Sequence, residues 1–132
     1  MREVTLPSGH VLKVKAAPFA EAKDLWQMVL RDIKSVKIAG RDELGNLYKD
    51  LVCAAFGSPD VERALWACMA RCIYNYGKGD MKIVPDSFES EKAREDFITV
   101  CTEVAKENLA PFMKGLFAEL KPMLAMMGGS QA

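Results

Sequence analysis

The chain carries a single histidine, His10, among its 132 residues, and that scarcity leaves little from which to build a histidine-based active site. His10 lies in a predicted turn, where a lone histidine is a solvated residue before it is a general base. No Ser-His or Cys-His pair with a third orienting residue can be assembled around it. A charge excess is missing too: Lys plus Arg and Asp plus Glu number 18 each. A general nucleic-acid binder needs a basic surplus to displace counterions, so no nucleic-acid partner is expected. Apolar runs fall far short of the roughly 20 residues that cross a bilayer, which leaves no membrane partner. The chain opens on Met1-Arg2-Glu3-Val4 without an apolar signal segment, so a cytoplasmic location is expected. There Cys53, Cys68, Cys72 and Cys101 are expected as reduced thiols. Internal repeats and low-complexity blocks are absent as well.

What is present suits one small domain over residues 1–132, since half the residues are hydrophobic and 27% are charged. A domain of this size buries roughly two-thirds of its unfolded surface and needs no disulfide or metal staple. Charge is mildly segregated, with seven basic against four acidic residues through Gly40, and five acidic against two basic from Asp86 to Asp96. Such patches are usually solvated faces.

Arg2 to Leu6 and Val11 to Lys15 alternate in polarity around Pro7-Ser8-Gly9-His10, which predicts a β-hairpin over residues 1–16. A hairpin alone is marginal, so it must lean on a helix or offer its edge to another subunit. A helical core is expected over 18–108. Pro18 opens its first helix, striped by Phe19, Ala22, Trp26, Val29, Leu30 and Ile33. A second helix is read over Leu44 to Phe56. Gly57 ends it, and Ser58-Pro59 start a third that runs through Val61, Leu65, Cys68, Met69, Cys72, Ile73 and Tyr76. YGKGDMKIVPD reads as a loop with room for a short extended piece at Met81 to Val84. Asp86 and Glu89 have capping-box spacing before a fourth helix from Ser87 to Glu107. A fifth, amphipathic helix is predicted over 109–127, capped by Asn108, with a kink or an end at Pro122 and a flexible tail over 128–132. The expected fold is therefore mainly α: an N-terminal β-hairpin and a compact bundle of about five helices.

Candidate chemistry is sparse. Cys68 and Cys72 share a helix face at zinc-ligand reach, but structural zinc sites favour short-spaced pairs in loops, and all four cysteines fall on apolar stripes. Gly77-Lys78-Gly79 lacks the full phosphate-loop pattern and its strand-to-helix setting. Tyr74 and Tyr76 beside Lys78 could stack on bases only if a basic surface surrounded them. The carboxylates from Asp86 to Asp96 suit a helix start whatever the function. No enzyme, no metal and no cofactor is expected.

The fifth helix stands out. Leu109, Phe112, Met113, Leu116, Phe117, Leu120, Met123, Leu124 and Met127 form a nearly perfect stripe, and four of the eight methionines lie in the last twenty residues. Met-rich faces adapt to partners of variable shape. Phe112, Met113, Leu116, Phe117, Leu120, Met123, Leu124 and Met127 are the candidate partner-binding residues, by helix-in-groove docking or self-association. The blander reading of any single amphipathic helix is that it closes the monomer core; against it stand Pro122 and the apolar residues that continue past it to Met127.

TLPSGHVLKVKAAPFAEAKDLWQMV, through Leu6-Pro7-Ser8-Gly9, Val11 to Lys15 and Ala17-Pro18-Phe19, resembles the opening of the tail assembly chaperones of long-tailed bacteriophages. The resemblance covers roughly the first third of the chain. It implies a non-enzymatic helper in the host cytoplasm that coats the tape measure protein, keeps it soluble and recruits major tail (tube) protein, and that is absent from the virion. It further implies a homo-oligomer and a longer, frameshifted form of the same product. The rival readings are a small cytoplasmic helical adaptor, or a secretion-type chaperone outside phage assembly.

Overall fold

The computed structural model describes residues 1–32, 48, 52–53, 55–75, 77 and 79–129, with side chains through 115. Two short strands open the chain, β1 (Arg2–Thr5) and β2 (Val11–Val14). Their turn is closed by Gly9 N–H donating to the Leu6 carbonyl and Leu6 N–H to that of His10, both at 2.8 Å. Pro7 presets the turn, and Gly9 takes a φ of 92° that side-chain-bearing residues rarely adopt. Helix α1 (Phe19–Asp32) follows from Pro18, whose carbonyl accepts from Glu21 and Ala22.

Helix α2 (Pro59–Met69) begins as its sequence dictates. Pro59 sits at the first helical position, and Ser58 Oγ accepts from Val61 N–H at 3.3 Å. The third predicted helix, however, does not reach Tyr76. It stops at Met69, and Ile73–Asn75 become strand β3, paired antiparallel with β2, with Leu12 opposite Tyr74. Asp80–Lys82 form β4 in the stretch read as a loop. The predicted hairpin is therefore present as half of a four-stranded antiparallel sheet, ordered β1-β2-β3-β4. Cross-strand pairing has overridden helical periodicity here: Ile and Tyr suit a strand, and β2 needed a partner for its outer edge. β1 remains an edge strand.

A 3₁₀ turn (Pro85–Phe88) leads into α3, which spans Glu91–Gly129. The Asp86/Glu89 start is displaced, because Ser90 Oγ instead accepts from Ala93 N–H at 3.1 Å. The boundary expected at Asn108 is also absent, and the helix continues past Pro111 and Pro122 rather than ending. Ala93, Val100, Val104, Leu109 and Met113 are all buried along its length, and that burial offsets the roughly 3 kcal/mol cost of an interior proline. The expected five-helix bundle is thus replaced, among the described residues, by three α-helices and a sheet. Of the second predicted helix, only Tyr48, Val52, Cys53, Ala55 and Phe56 are described; the first four have helical backbone, and Tyr48, Val52 and Ala55 are buried. The rest of that segment, like residues 130–132 of the tail, lies outside the described residues.

One core unites these parts. Leu12, Val14 and Tyr74 from the sheet, Leu25 and Val29 from α1, Leu65 and Met69 from α2, and Val100 and Val104 from α3 belong to a single buried cluster. The hairpin lies along α3. Its turn is held at Asp96, while Arg2 at its open end pairs with Glu103 (2.9 Å) and Glu107 (3.4 Å). Seven to eleven residues of helix rise about 10–16 Å, close to the length of strands of four to five residues.

Candidate partner-binding face

The described residues bring together a serine, a histidine and an aspartate, and the geometry explains why they are not a triad. Asp96 is 0% exposed. Its carboxylate accepts from Ser8 N–H (3.0 Å), from Ser8 Oγ–H and from Tyr74 O–H (2.9 Å). With the tyrosine proton directed at Asp96, His10 Nδ1–H donates to the Tyr74 oxygen at 2.7 Å. Ser8 Oγ–H thus donates to the buried Asp96 carboxylate, and Ser8 Oγ accepts from His10 N–H at 3.2 Å. A triad would set the imidazole against the hydroxyl, whereas here the hydroxyl faces the carboxylate. The cluster is a fastener between the hairpin turn, β3 and α3. His10, read from sequence as solvated, is tied to this network.

Burial pushes the Cys68 and Cys101 thiols up to about 12 and raises Cys72, which disfavours the thiolate at all three. Among the described residues, no group of three or more His, Cys, Asp or Glu could hold a metal ion. Among the same residues, no helix is long and apolar enough to cross a membrane.

The feature that does need a purpose is aromatic. Phe19 at the start of α1 is 70% exposed, yet its ring stacks on Phe112 of α3 at 6.1 Å. Trp26 stacks on the same ring at 5.7 Å and 10°. Leu30, one turn on from Trp26, is 55% exposed. Phe19, Trp26 and Leu30 lie on one side of α1, while Ala22, Leu25 and Val29, offset around the helix, enter the core. The result is a strip of apolar surface along the junction of α1 and α3. Phe19 and Leu30 are exposed along it, and the Trp26 and Phe112 rings are half-buried.

The candidate residues distribute unevenly over this geometry. Phe112 lies in the strip, half-buried between Phe19 and Trp26. Met113 is 5% exposed and belongs to the core. The backbone of Leu116, Phe117, Leu120, Met123, Leu124 and Met127 is helical, and their side chains lie outside the described residues. Sequence reasoning overlooked Phe19, Trp26 and Leu30 as surface residues by assigning the whole α1 stripe to the core. The available signal was its width: six apolar positions in that stripe exceed what one buried face needs.

Ala17 N–H donates to Asn108 Oδ1 at 2.8 Å, and Asn108 Nδ2 donates to the Val104 carbonyl at 2.8 Å. This buried bridge sits two residues before Phe19 and one turn before Phe112. Asn108, expected as a helix cap, instead sets the register of the two helices that carry the strip.

No family model, curated protein or solved structure matches the chain.

Proposed function

We propose that this protein is a non-enzymatic assembly chaperone that holds an apolar-striped helix of a client polypeptide along the α1–α3 junction. The observation that carries the reading is the exposed Phe19 ring stacked on Phe112 beside Trp26. A client helix laid there would cover three aromatic rings and Leu30 and would extend toward Leu116, Phe117 and Leu120. The resemblance of the first third of the chain to phage tail assembly chaperones names the client class: the tape measure protein, a long helix with apolar stripes. Recruitment of tail tube subunits, self-association and a longer frameshifted companion belong to the same proposal, as does action in the host cytoplasm.

The test is co-expression with a tape measure protein, scoring the client's solubility and its co-purification. Wild-type chain is expected to hold the client in solution. Phe19→Asp should abolish capture while leaving the unfolding midpoint nearly unchanged, because the ring is exposed. Phe117→Asp and Met123→Asp extend the test along α3. Undiminished capture by Phe19→Asp refutes the assignment of this face.

A further inference from the structure

A second apolar feature shares no residue with that strip. Where α2, the 3₁₀ turn and the first turns of α3 meet, Trp66, Pro85, Phe88, Arg94 and Phe97 line an open slot of about 260 Å³. Its aromatic walls brace one another. Phe88 and Phe97 meet edge to face at 5.0 Å, and Trp66 contacts Phe97 at 5.8 Å and Phe88 at 6.0 Å. Such a site is preformed, so an occupant need not pay to organise it. Exposed Val84 adjoins Pro85, and exposed Phe56 stacks on Phe97 at 5.6 Å, so apolar surface continues beyond the rim.

Arg94 is the one charged residue in the lining. Its Nε–H donates to the Phe88 carbonyl at 3.2 Å, which fixes the guanidinium plane at the mouth. Its Nη2 lies 3.6 Å from the Glu89 carboxylate, with the two side chains 69% and 71% exposed. A solvated pair at that distance is weak and yields to a better-placed carboxylate able to engage the planar fork. Openness bears on the kind of occupant. Sites that enclose a whole small ligand run to about 300–1,000 Å³ and bury most of it. An open slot at the foot of that range covers one side chain and leaves the rest of its owner outside.

We propose that this slot receives a single aromatic side chain of a polypeptide partner, and that a carboxylate on the adjacent residue pairs with Arg94. The inference stands independently of the client-holding face.

The probes are two blocked tetrapeptides, acetyl-Ala-Phe-Glu-Ala-amide and its Gln counterpart, titrated at millimolar concentration. The readout is the indole N–H resonance of Trp66, assigned with Trp66→Phe; that of Trp26, which stacks on Phe112 and does not line the slot, is the internal control. The Glu peptide is expected to move the Trp66 signal saturably and leave Trp26 still. The Gln peptide should bind about three- to ten-fold more weakly. Arg94→Gln should erase that difference, and Glu89→Gln, which removes the competitor for Arg94, should tighten the Glu peptide. A merely structural Arg94 would produce neither effect. Three results overturn the proposal. One is a Trp66 signal unmoved by either peptide. The second is equal or tighter binding of a Lys-for-Glu peptide, drawn by exposed Asp86, Glu89, Glu91 and Glu95. The third is free N-acetylphenylalanine binding as well as the peptide, which would make the occupant a small molecule.

Discussion

Replacing Asp96 with alanine probes how the sheet is fastened to the long helix. The side chain is 0% exposed and accepts from three donors: Ser8 N–H, Ser8 Oγ–H and Tyr74 O–H. Hydrogen bonds to a charged acceptor contribute about 1.5–3 kcal/mol each, but they are not additive, because deleting the carboxylate also removes its own desolvation cost. What remains is a carboxyl-sized cavity, with the buried Tyr74 O–H and the two donors of half-buried Ser8 all without this acceptor. At about 1–3 kcal/mol for each donor left unsatisfied, less for the half-buried serine, the loss comes to about 3–5 kcal/mol. Domains of this size are stable by about 5–15 kcal/mol, so the variant should fold with much of its margin gone.

The assay is urea unfolding followed by tryptophan fluorescence. With a slope of about 2 kcal/mol per molar urea, the Asp96→Ala midpoint should fall by about 1.5–2.5 M. Tyr74→Phe removes one donor and leaves the two from Ser8, so it should cost about 1 kcal/mol. Asp96→Asn separates charge from shape and should fall between the two. If Asp96→Ala unfolds within about 1 kcal/mol of wild type, the hairpin is held by its apolar face alone and the fastener argument fails.

Native protein treated with an aromatic disulfide reagent at mildly alkaline pH should expose one reactive thiol, Cys53, and all four in urea; Cys53→Ser should abolish the native reaction. Glu21 is held below the usual carboxylate range by its hydrogen bonds from Arg71, at 2.6 and 3.1 Å. A depressed pKa means that the pair stabilises above the unfolded-state glutamate pKa and stops doing so as pH falls through the folded value. The stability difference between wild type and Arg71→Gln should therefore shrink between about pH 7 and about pH 3, measured by paired urea titrations. Asn108→Ala strands the Ala17 N–H in a buried site and should cost about 1–3 kcal/mol by thermal unfolding; near-neutrality would show that the bridge does not set the α1–α3 register.

Legibility from sequence followed the range of the interactions. The β1–β2 hairpin and the start of α2 were readable because turn residues and a Ser-Pro cap act within four residues of themselves. The switch at Met69 was not. Cys72, Ile73 and Tyr76 continue the helical spacing, and only the distant edge of β2 makes a strand of Ile73–Asn75. Asn108 misled for a related reason. Its local chemistry suits a cap, but a backbone donor 91 positions away claims its oxygen inside a continuous helix. Asp96 was grouped with solvated carboxylates, and only the folded chain delivers Ser8 and Tyr74 to it. On α1 the apolar count was readable, but the division into Ala22, Leu25 and Val29 inside and Phe19, Trp26 and Leu30 at the surface depends on where α3 lies.

That dependence explains why α3 must be one helix for the proposed client face to exist. Phe112 comes one turn after Asn108, and Phe19 two residues after Ala17, so the Ala17–Asn108 bridge places the two rings opposite each other. A helix restarting at Asn108 would turn that side chain onto its own first-turn donors and release Ala17. The rings would then have no fixed partner across the junction. Holding α3 continuous through Pro111 forfeits a backbone hydrogen bond but keeps one helix burying side chains from Ala93 through Leu109 to Met113. Asp96 ties the first turns of the helix to the sheet, and Asn108 ties its middle to α1. Between those two anchors the helix is indexed against the rest of the fold, and residues beyond Met113 extend from a rigid base. The proposed client face requires that combination, with aromatic rings held in place and a longer apolar stripe in the sequence beyond them.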